Sequence, residues 1–445
     1  MIAGMDPHLL PYAERQAPRY TSYPSAPHFS ADVDGALYQS WLGAIPENAA
    51  LSLYLHIPYC KQLCWYCGCN TYLTRGRDIP DFVTTLMTEI DLVASAVGSH
   101  NVSEIHWGGG TPNILSPREF LRLQHHIAFW FDLAPALSHS IELDPRHVTR
   151  ALVATYAQAG VNRASLGLQD LNPHVQMAMG RVQPYAQVVE AVAMLREAGM
   201  HDLSFDLMYG LPQQTDHDIA STIRLATDLA PNRIALFGYA HAPWLKRRQR
   251  MIDTDALPNA AARFEQAELA RAILRDLGYE SIGLDHFAKP DDALAKAVRA
   301  RTLHRNFQGY VPSNAGALIG FGPSAISRLT AGYTQNIPAV RTWQRIVESG
   351  RLPIMRGHTQ SADDTRREAI IEALMCDLAV DLASFGGQAA FPEAMKALAP
   401  LAQDGLVEIN GDVVRVPPNM RPFCRLVASA FDAYANSETQ HSEAI

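Results

Sequence analysis

Four of the chain's six cysteines fall within ten positions, in HIPYCKQLCWYCGCN (56–70). Cys60, Cys64 and Cys67 are spaced C-x3-C-x2-C, and Cys69 follows one residue later. Three chemistries compete for thiols gathered this closely. A structural zinc site uses two separated ligand pairs, and the remaining cysteines, Cys376 and Cys424, stand alone. A redox dithiol fits Cys64-Trp65-Tyr66-Cys67 but leaves Cys60 without a role. An iron–sulfur cluster on a loop after a strand employs Cys60, Cys64 and Cys67 together. Three thiolates leave one iron of a 4Fe–4S cluster open to nitrogen and oxygen ligands. Four cysteines gathered by chance is the remaining alternative, and so few thiols rarely cluster this tightly.

Such a loop has to be held by regular elements. Short apolar runs begin at Leu51: LSLYLHI (51–57), EIHW (104–107), SIEL (140–143), RASLGL (163–168), LSFDLMY (203–209) and RIALFGY (233–239). Helical patterns lie between them at 79–98, 116–131, 148–158, 184–199 and 216–229. Strands alternating with helices of this length predict βα units and a parallel sheet. Six units are too few for a closed eight-stranded barrel, so the expectation is an α/β fold, an open partial barrel or a doubly wound sheet. Polar or glycine signals follow the strands: the cysteine loop, GGGTP (108–112), DPR (144–146), QD (169–170) and GLP (210–212). Ligands bind at that edge of parallel α/β folds.

Around this core the sequence divides into residues 1–50, an arm ending in a short helix; 51–240, the βα units; 241–360, a less regular extension; and 361–445. The last part has helical patterns at 363–378 and 392–405, then LVEINGDVVRV, a hairpin with its turn at Asn410-Gly411. This predicts a small winged-helix-like α+β module, with a frayed tail from Asn436. Charged residues are 18 % and hydrophobic residues 48 %, so a large core is available. The net charge of −8 and the lack of a basic recognition helix argue against a nucleic-acid partner. There is no apolar span for a bilayer and no signal-peptide pattern, so a cytoplasmic chain without a membrane partner is expected.

The cysteine loop after the first strand, with GGGTP beside it, resembles the radical S-adenosylmethionine superfamily. Further stretches resemble one family within it, the oxygen-independent coproporphyrinogen III oxidases: PRYTSYPSAPHF (18–29), YLHIPYCKQLCWYCGCN (54–70), HWGGGTPN (106–113), IELDPR (141–146), LGLQDLN (166–172), DLMYGLP (206–212), LDHFAKPDDALA (284–295), LHRNFQGY (303–310) and SAIS (324–327). The resemblance runs from about residue 18 to about 434. It implies a partial (β/α)6 radical-SAM barrel, one 4Fe–4S cluster and two S-adenosylmethionine molecules. It also implies a reaction: a 5′-deoxyadenosyl radical takes a hydrogen from the β-carbon of a propionate, CO₂ and an electron leave, and a vinyl group forms. Done twice, this converts coproporphyrinogen III to protoporphyrinogen IX.

Carried over residue by residue, the resemblance assigns Cys60, Cys64 and Cys67 to the cluster. Tyr54, Tyr66, Gly109 and Glu142 fall to the first S-adenosylmethionine. Gly110, Thr111, Gln169, Arg181, Asp206, Ala240 and Ile326 fall to the second. Cys69, matching a family cysteine that is not a cluster ligand, and Tyr54 are the candidate catalytic residues. The polyanionic substrate should meet cations, with Arg19, Lys289 and LKRRQR (245–250) as candidates, although such a run is more often a solvated face. A flavodoxin- or ferredoxin-type reductant, a terminal electron acceptor of unknown identity and a monomeric state are expected. The rivals are a radical methyltransferase on the same barrel, a haem chaperone, and a ferredoxin-like carrier. Relatives of the chaperone kind generally lack the CxC ending and RYTSYP arm seen here, and a carrier would not need GGGTP.

Overall fold

A computed structural model of the chain describes residues 7–312 and 315–435. Six parallel strands lie side by side in chain order: β1 (Leu51–Ile57), β2 (Asn101–Gly109), β3 (Asp132–Leu143), β4 (Arg163–Gln169), β5 (Asp202–Tyr209) and β6 (Arg233–Gly238). Five longer helices connect them, α2 (Ile79–Val97), α3 (Pro117–Trp130), α4 (Arg150–Gln158), α5 (Tyr185–Glu197) and α6 (Asp216–Asp228), with a further short helix at Pro173–Ala178. They follow α1 (Gly35–Leu42) of the N-terminal region. The partial (β/α)6 barrel expected from the sequence is thus present. Alternation within β1 explains its two faces. Leu51, Leu53, Leu55 and Ile57 are fully buried under the helices, while Ser52, Tyr54 and His56 occupy the alternate positions. Local chemistry starts the helices: Ser116 and Glu119 form a reciprocal cap on α3, and Thr215 and Asp218 do so on α6.

The sheet does not stop at six strands. Beyond β6 it adds the antiparallel strands β7 (Glu280–Ile282) and β8 (His286–Ala288), with β8 next to β6. Beyond β1 it adds β9 (Ala317–Phe321), parallel to β1, then antiparallel β10 (Ile326–Leu329), β11 (Gly332–Asn336) and β12 (Ile354–Thr359). The result is one sheet of twelve strands, in the order β12-β11-β10-β9-β1-β2-β3-β4-β5-β6-β8-β7. The added strands are short and partly polar, so tertiary pairing rather than periodicity defines them. The same holds for the first half of β3, where Pro135 and polar residues break the apolar pattern. Helix α7 (Ala260–Asp276) packs on α6, and α8 (Val340–Glu348) packs on α2.

The C-terminal part holds α9 (Ala362–Cys376), α10 (Pro392–Gln403) and a three-stranded sheet of β13 (Ala379–Asp381), β14 (Glu408–Asn410) and β15 (Val413–Arg415). The winged-helix-like expectation matches this arrangement. Its hairpin turn falls at Gly411-Asp412, one residue later than expected, because Asn410 pairs directly with Val413 and Gly411 takes φ +55°. Leu9, Tyr12, Tyr20 and Tyr23 of the N-terminal arm share a core with this module. Cys424 is buried in that core, and Cys376 in a neighbouring cluster with Ile282, Leu294 and Tyr310, both as packing residues. The tail from Asn436 lies outside the described residues.

Candidate active site

Four of the five polar edge signals converge because the strands are parallel and every C-terminal end points the same way, while Gly210 of GLP lines a neighbouring groove. A cavity of about 180 Å³ lies at this edge. Cys60, Cys64, Cys67 and Cys69 line it together with Tyr66, Gly109, Gly110, Thr111, Glu142, Gln169, Arg181 and Asp206. Each of the three spaced cysteine sulfurs accepts a hydrogen bond. Thr111 Oγ1 stands 3.3 Å from Cys60 Sγ, Arg181 Nη1 3.4 Å from Cys64 Sγ, and the Cys69 amide 3.4 Å from Cys67 Sγ. Donors aimed at sulfur favour thiolates over thiols. Hydrogen bonding from Cys69 brings the Cys67 thiol down to about 6 and raises that of Cys69. Burial raises Cys60 to about 11, against the hydrogen bond from Thr111.

Among the described residues no three His, Cys, Asp or Glu side chains converge as a single-ion site. The cysteines instead surround a shared space, which suits a multi-iron group bound by three thiolates. The glycines supply clearance. A Cβ on Gly109 (φ +109°) would sit 2.8 Å from the His56 ring, and one on Gly110 would sit 2.8 Å from the Tyr59 carbonyl oxygen. Gln169, at the end of β4, holds a left-handed conformation with φ +65°, a sparsely populated state for a non-glycine residue. Arg181 Nε is buried with no hydrogen-bond partner among the described residues, a donor set to meet a ligand.

Two charged networks frame the space. Asp144 pairs with Arg146 at 2.6 Å and with Arg181 at 3.3 Å. Burial would raise its carboxyl, but Arg181 and Arg146 hold it at about 2. Glu142 Oε1 lies 3.0 Å from His106 Nε2, whose ring stacks 5.8 Å from that of Tyr54. Asp206 accepts from Ser165 Oγ at 3.2 Å, and burial and then the Glu142 charge push it up to about 7.

Three expected residues lie outside the lining. The Tyr54 hydroxyl meets His56 Nδ1 at 3.0 Å, one row below the cavity. Ile326 sits on β10, two strands from β1. Ala240 lines a neighbouring cavity, and its carbonyl accepts from Gln249. Of the expected cations, Lys289 is bound to the Ala230 carbonyl, beside the N-terminal end of β6 and remote from this edge. In LKRRQR, Arg248 lines the cysteine cavity and donates to Thr71 Oγ1 at 2.6 Å, while Gln249 donates to the Tyr66 carbonyl at 2.8 Å. That run is therefore more than a solvated face. His106 and Asp144 were not singled out from the sequence, and Arg248 only as one of the basic run LKRRQR. The first two stand inside the motifs HWGGGTPN and IELDPR, but their partners are many positions away.

Comparison with known proteins agrees with this geometry. The profile of the radical SAM superfamily matches residues 54–226, and that of the HemN C-terminal domain matches residues 360–423. The oxygen-independent coproporphyrinogen III oxidase of Bradyrhizobium diazoefficiens is 44 % identical over 98 % of this chain and 98 % of its own. That of Paracoccus denitrificans is 40 % identical over 97 % of each chain. The solved structure of the Escherichia coli coproporphyrinogen III oxidase HemN superposes with a TM-score of 0.89 at 35 % identity, covering 94 % of this chain and 100 % of that one.

Proposed function

The chain belongs to the oxygen-independent coproporphyrinogen III oxidase family of radical SAM enzymes, and from that premise we propose how its own residues serve the reaction. The enzyme oxidatively decarboxylates two propionates of coproporphyrinogen III to vinyl groups, giving protoporphyrinogen IX without O₂. When bound, a 4Fe–4S cluster and S-adenosylmethionine supply the radical that takes a hydrogen from each propionate.

Cys60, Cys64 and Cys67 hold the cluster. Thr111, Arg181 and the Cys69 amide stabilise the thiolate form of their sulfurs through the three hydrogen bonds described above. Cys69 shapes the loop through its amide. Glu142, held by His106 Nε2, accepts from an amine or a ribose hydroxyl at its remaining lone pairs. Gly109, Gly110 and Thr111 present backbone to the amino-acid end of the cofactor. Arg181 is placed to pair a carboxylate, and Asp206, protonated or not near neutral pH, can donate or accept opposite Glu142. Tyr54 orients His56 and His106 from below. Electrons come from a flavodoxin- or ferredoxin-type protein docking near Tyr72 and Leu73, which are exposed beside the cysteine loop. The chain works as a monomer in the cytoplasm.

The observation that carries this reading is the single cavity shared by three donor-bonded cysteines, the glycine run, Glu142 and Asp206. Its test is reductive cleavage of S-adenosylmethionine by anaerobically reconstituted protein. Wild type should release 5′-deoxyadenosine in a coproporphyrinogen-dependent manner, and Cys60→Ser, Cys64→Ser and Cys67→Ser should each abolish it. Release that survives any one of these changes would refute the ligand assignment.

A further inference from the structure

Beside the mouths of β5 and β6 lies a second polar cavity, which the cysteine site does not use. It borders Tyr209, Gly238 and Ala240, so it shares the sheet edge that carries the cysteines. Its wall gathers four guanidinium-bearing residues from three parts of the chain: Arg19 of the arm, Arg263 and Arg271 of α7, and Arg425 near the C-terminus. One carboxylate residue, Asp285, faces them. Asp285 is already engaged, by His286 Nδ1 at 2.7 Å and Arg305 Nη1 at 3.8 Å. Arg19 is fixed by a 3.0 Å bond to the Gly238 carbonyl, and Arg263 by a 2.9 Å bond to that of Tyr239.

Arg19, Arg263 and Arg425 are close enough to repel one another, whereas Arg271 is paired with Glu268 at 3.2 Å. Burial and then the Arg19 charge push Arg425 down to about 9. Burial lowers Arg19 as well, with Arg305 and Arg263 adding to it against Asp285. A negative group placed among them would relieve that repulsion, and a guanidinium fork matches a carboxylate best. The cavity is about 50 Å³, room for a carboxylate but not for a ring. It adjoins a groove of about 690 Å³ with which it shares Ala240 and Arg263. That groove is walled in part by apolar groups, Tyr239, Leu257, Pro258 and the exposed Trp244 and Leu245, and in part by polar ones such as Glu14, His241 and Asn259. It is coupled to the cysteine loop through Gln249, which donates to the carbonyls of both Tyr66 and Ala240.

We propose that this arginine cavity seats a carboxylate of the bound reactants, with the groove taking the bulk of the molecule that carries it. The carboxylate has two possible sources: a propionate of the tetrapyrrole, or the amino-acid end of a second S-adenosylmethionine. The inference rests on the porphyrinogen reading. It adds a carboxylate anchor built jointly by the arm, the barrel and the C-terminal module.

The test is binding to the full-length, anaerobically reconstituted protein. Coproporphyrin III, the unreactive oxidised tetracarboxylate, and its tetramethyl ester are titrated by tryptophan fluorescence. S-adenosylmethionine bound per chain is measured by equilibrium dialysis. For Arg19→Gln and Arg263→Gln we expect the free acid to bind about tenfold or more weakly, with the ester and the iron content unaffected. Arg19→Lys and Arg263→Lys should give intermediate affinity, and they remain informative if a glutamine variant fails to fold. That pattern assigns the cavity to a propionate. Loss of one S-adenosylmethionine per chain with unchanged porphyrin binding assigns it to the cofactor's carboxylate. Unchanged binding of both overturns the proposal. Tight, arginine-dependent binding by a wild type that makes no vinyl product would refute the decarboxylase reading and leave the cavity standing.

Discussion

Arg181 touches three things at once: the Cys64 sulfur, the Asp144 carboxylate and the Gly167 carbonyl. A buried guanidinium with that many partners fixes the shape of the loop around it. Replacing it with leucine should leave Asp144 buried against Arg146 alone and should lower the iron retained after reconstitution, which iron and sulfide analysis measures directly. Cys69→Ser should behave differently. Its amide remains to bond Cys67, so iron content should stay at the wild-type level, and a cluster-free Cys69→Ser protein would show that the thiol, and not the amide alone, is needed. His106 acts through Glu142, so His106→Leu should weaken S-adenosylmethionine binding by about tenfold to a hundredfold with iron unchanged. An unaltered affinity would remove His106 from the site. At this scale the sequence was informative where chemistry is local. Cys60, Cys64, Cys67, Gly109, Glu142 and Asp206 stand in recognisable strings and meet in one cavity. His106 was missed, and Arg248 was reached only as one of a basic run, because their partners Glu142 and Thr71 are brought near only by strand register and loop packing.

At the scale of elements, Glu89 ties the outer strands to the barrel. It sits on α2, is 1 % exposed, and accepts from the Gly322 amide, Asn336 Nδ2 and Trp343 Nε1. Burial raises its carboxyl to about 7 despite these three donors. A carboxyl with its folded value raised stabilises the fold fully below its unfolded value. That contribution is lost as pH rises through about 7. The thermal midpoint should therefore fall between about pH 5 and pH 8, with up to about 3 kcal/mol at stake. Glu89→Gln should flatten that part of the profile, whereas an identical slope in both proteins would show that Glu89 does not titrate there. Alternation revealed β1 to β6 because each buries one face under helices. It did not reveal β10 or β11, whose residues Ile326–Leu329 and Gly332–Asn336 are short and mixed. Nor could any local pattern place Glu89 opposite residues more than two hundred positions away.

At the scale of the whole molecule, the two ends of the chain hold each other. Tyr20 donates to Asp432 at 3.0 Å, Arg425 to the Ala17 carbonyl at 3.3 Å, and the Ala433 amide to the Tyr23 hydroxyl at 3.0 Å. Removing residues 1–24 would uncover the apolar residues of the C-terminal module that Leu9, Tyr12 and Tyr23 now cover. We expect faster hydrogen exchange in α9 and a lower thermal midpoint; unchanged protection would mean the arm is dispensable for the module. The sequence suggested an arm but not its destination, because burial against a distant module leaves no periodic trace in a segment rich in proline and tyrosine. The central claim, decarboxylation of a porphyrinogen by this cavity, is tested most directly by one anaerobic turnover experiment. Reconstituted protein is supplied with S-adenosylmethionine, a reductant, an electron acceptor and coproporphyrinogen III, and the tetrapyrrole is weighed by mass spectrometry. The expected product has lost two CO₂, with one carbon-bound hydrogen removed for each, alongside 5′-deoxyadenosine. 5′-Deoxyadenosine beside an unchanged tetrapyrrole mass would contradict it.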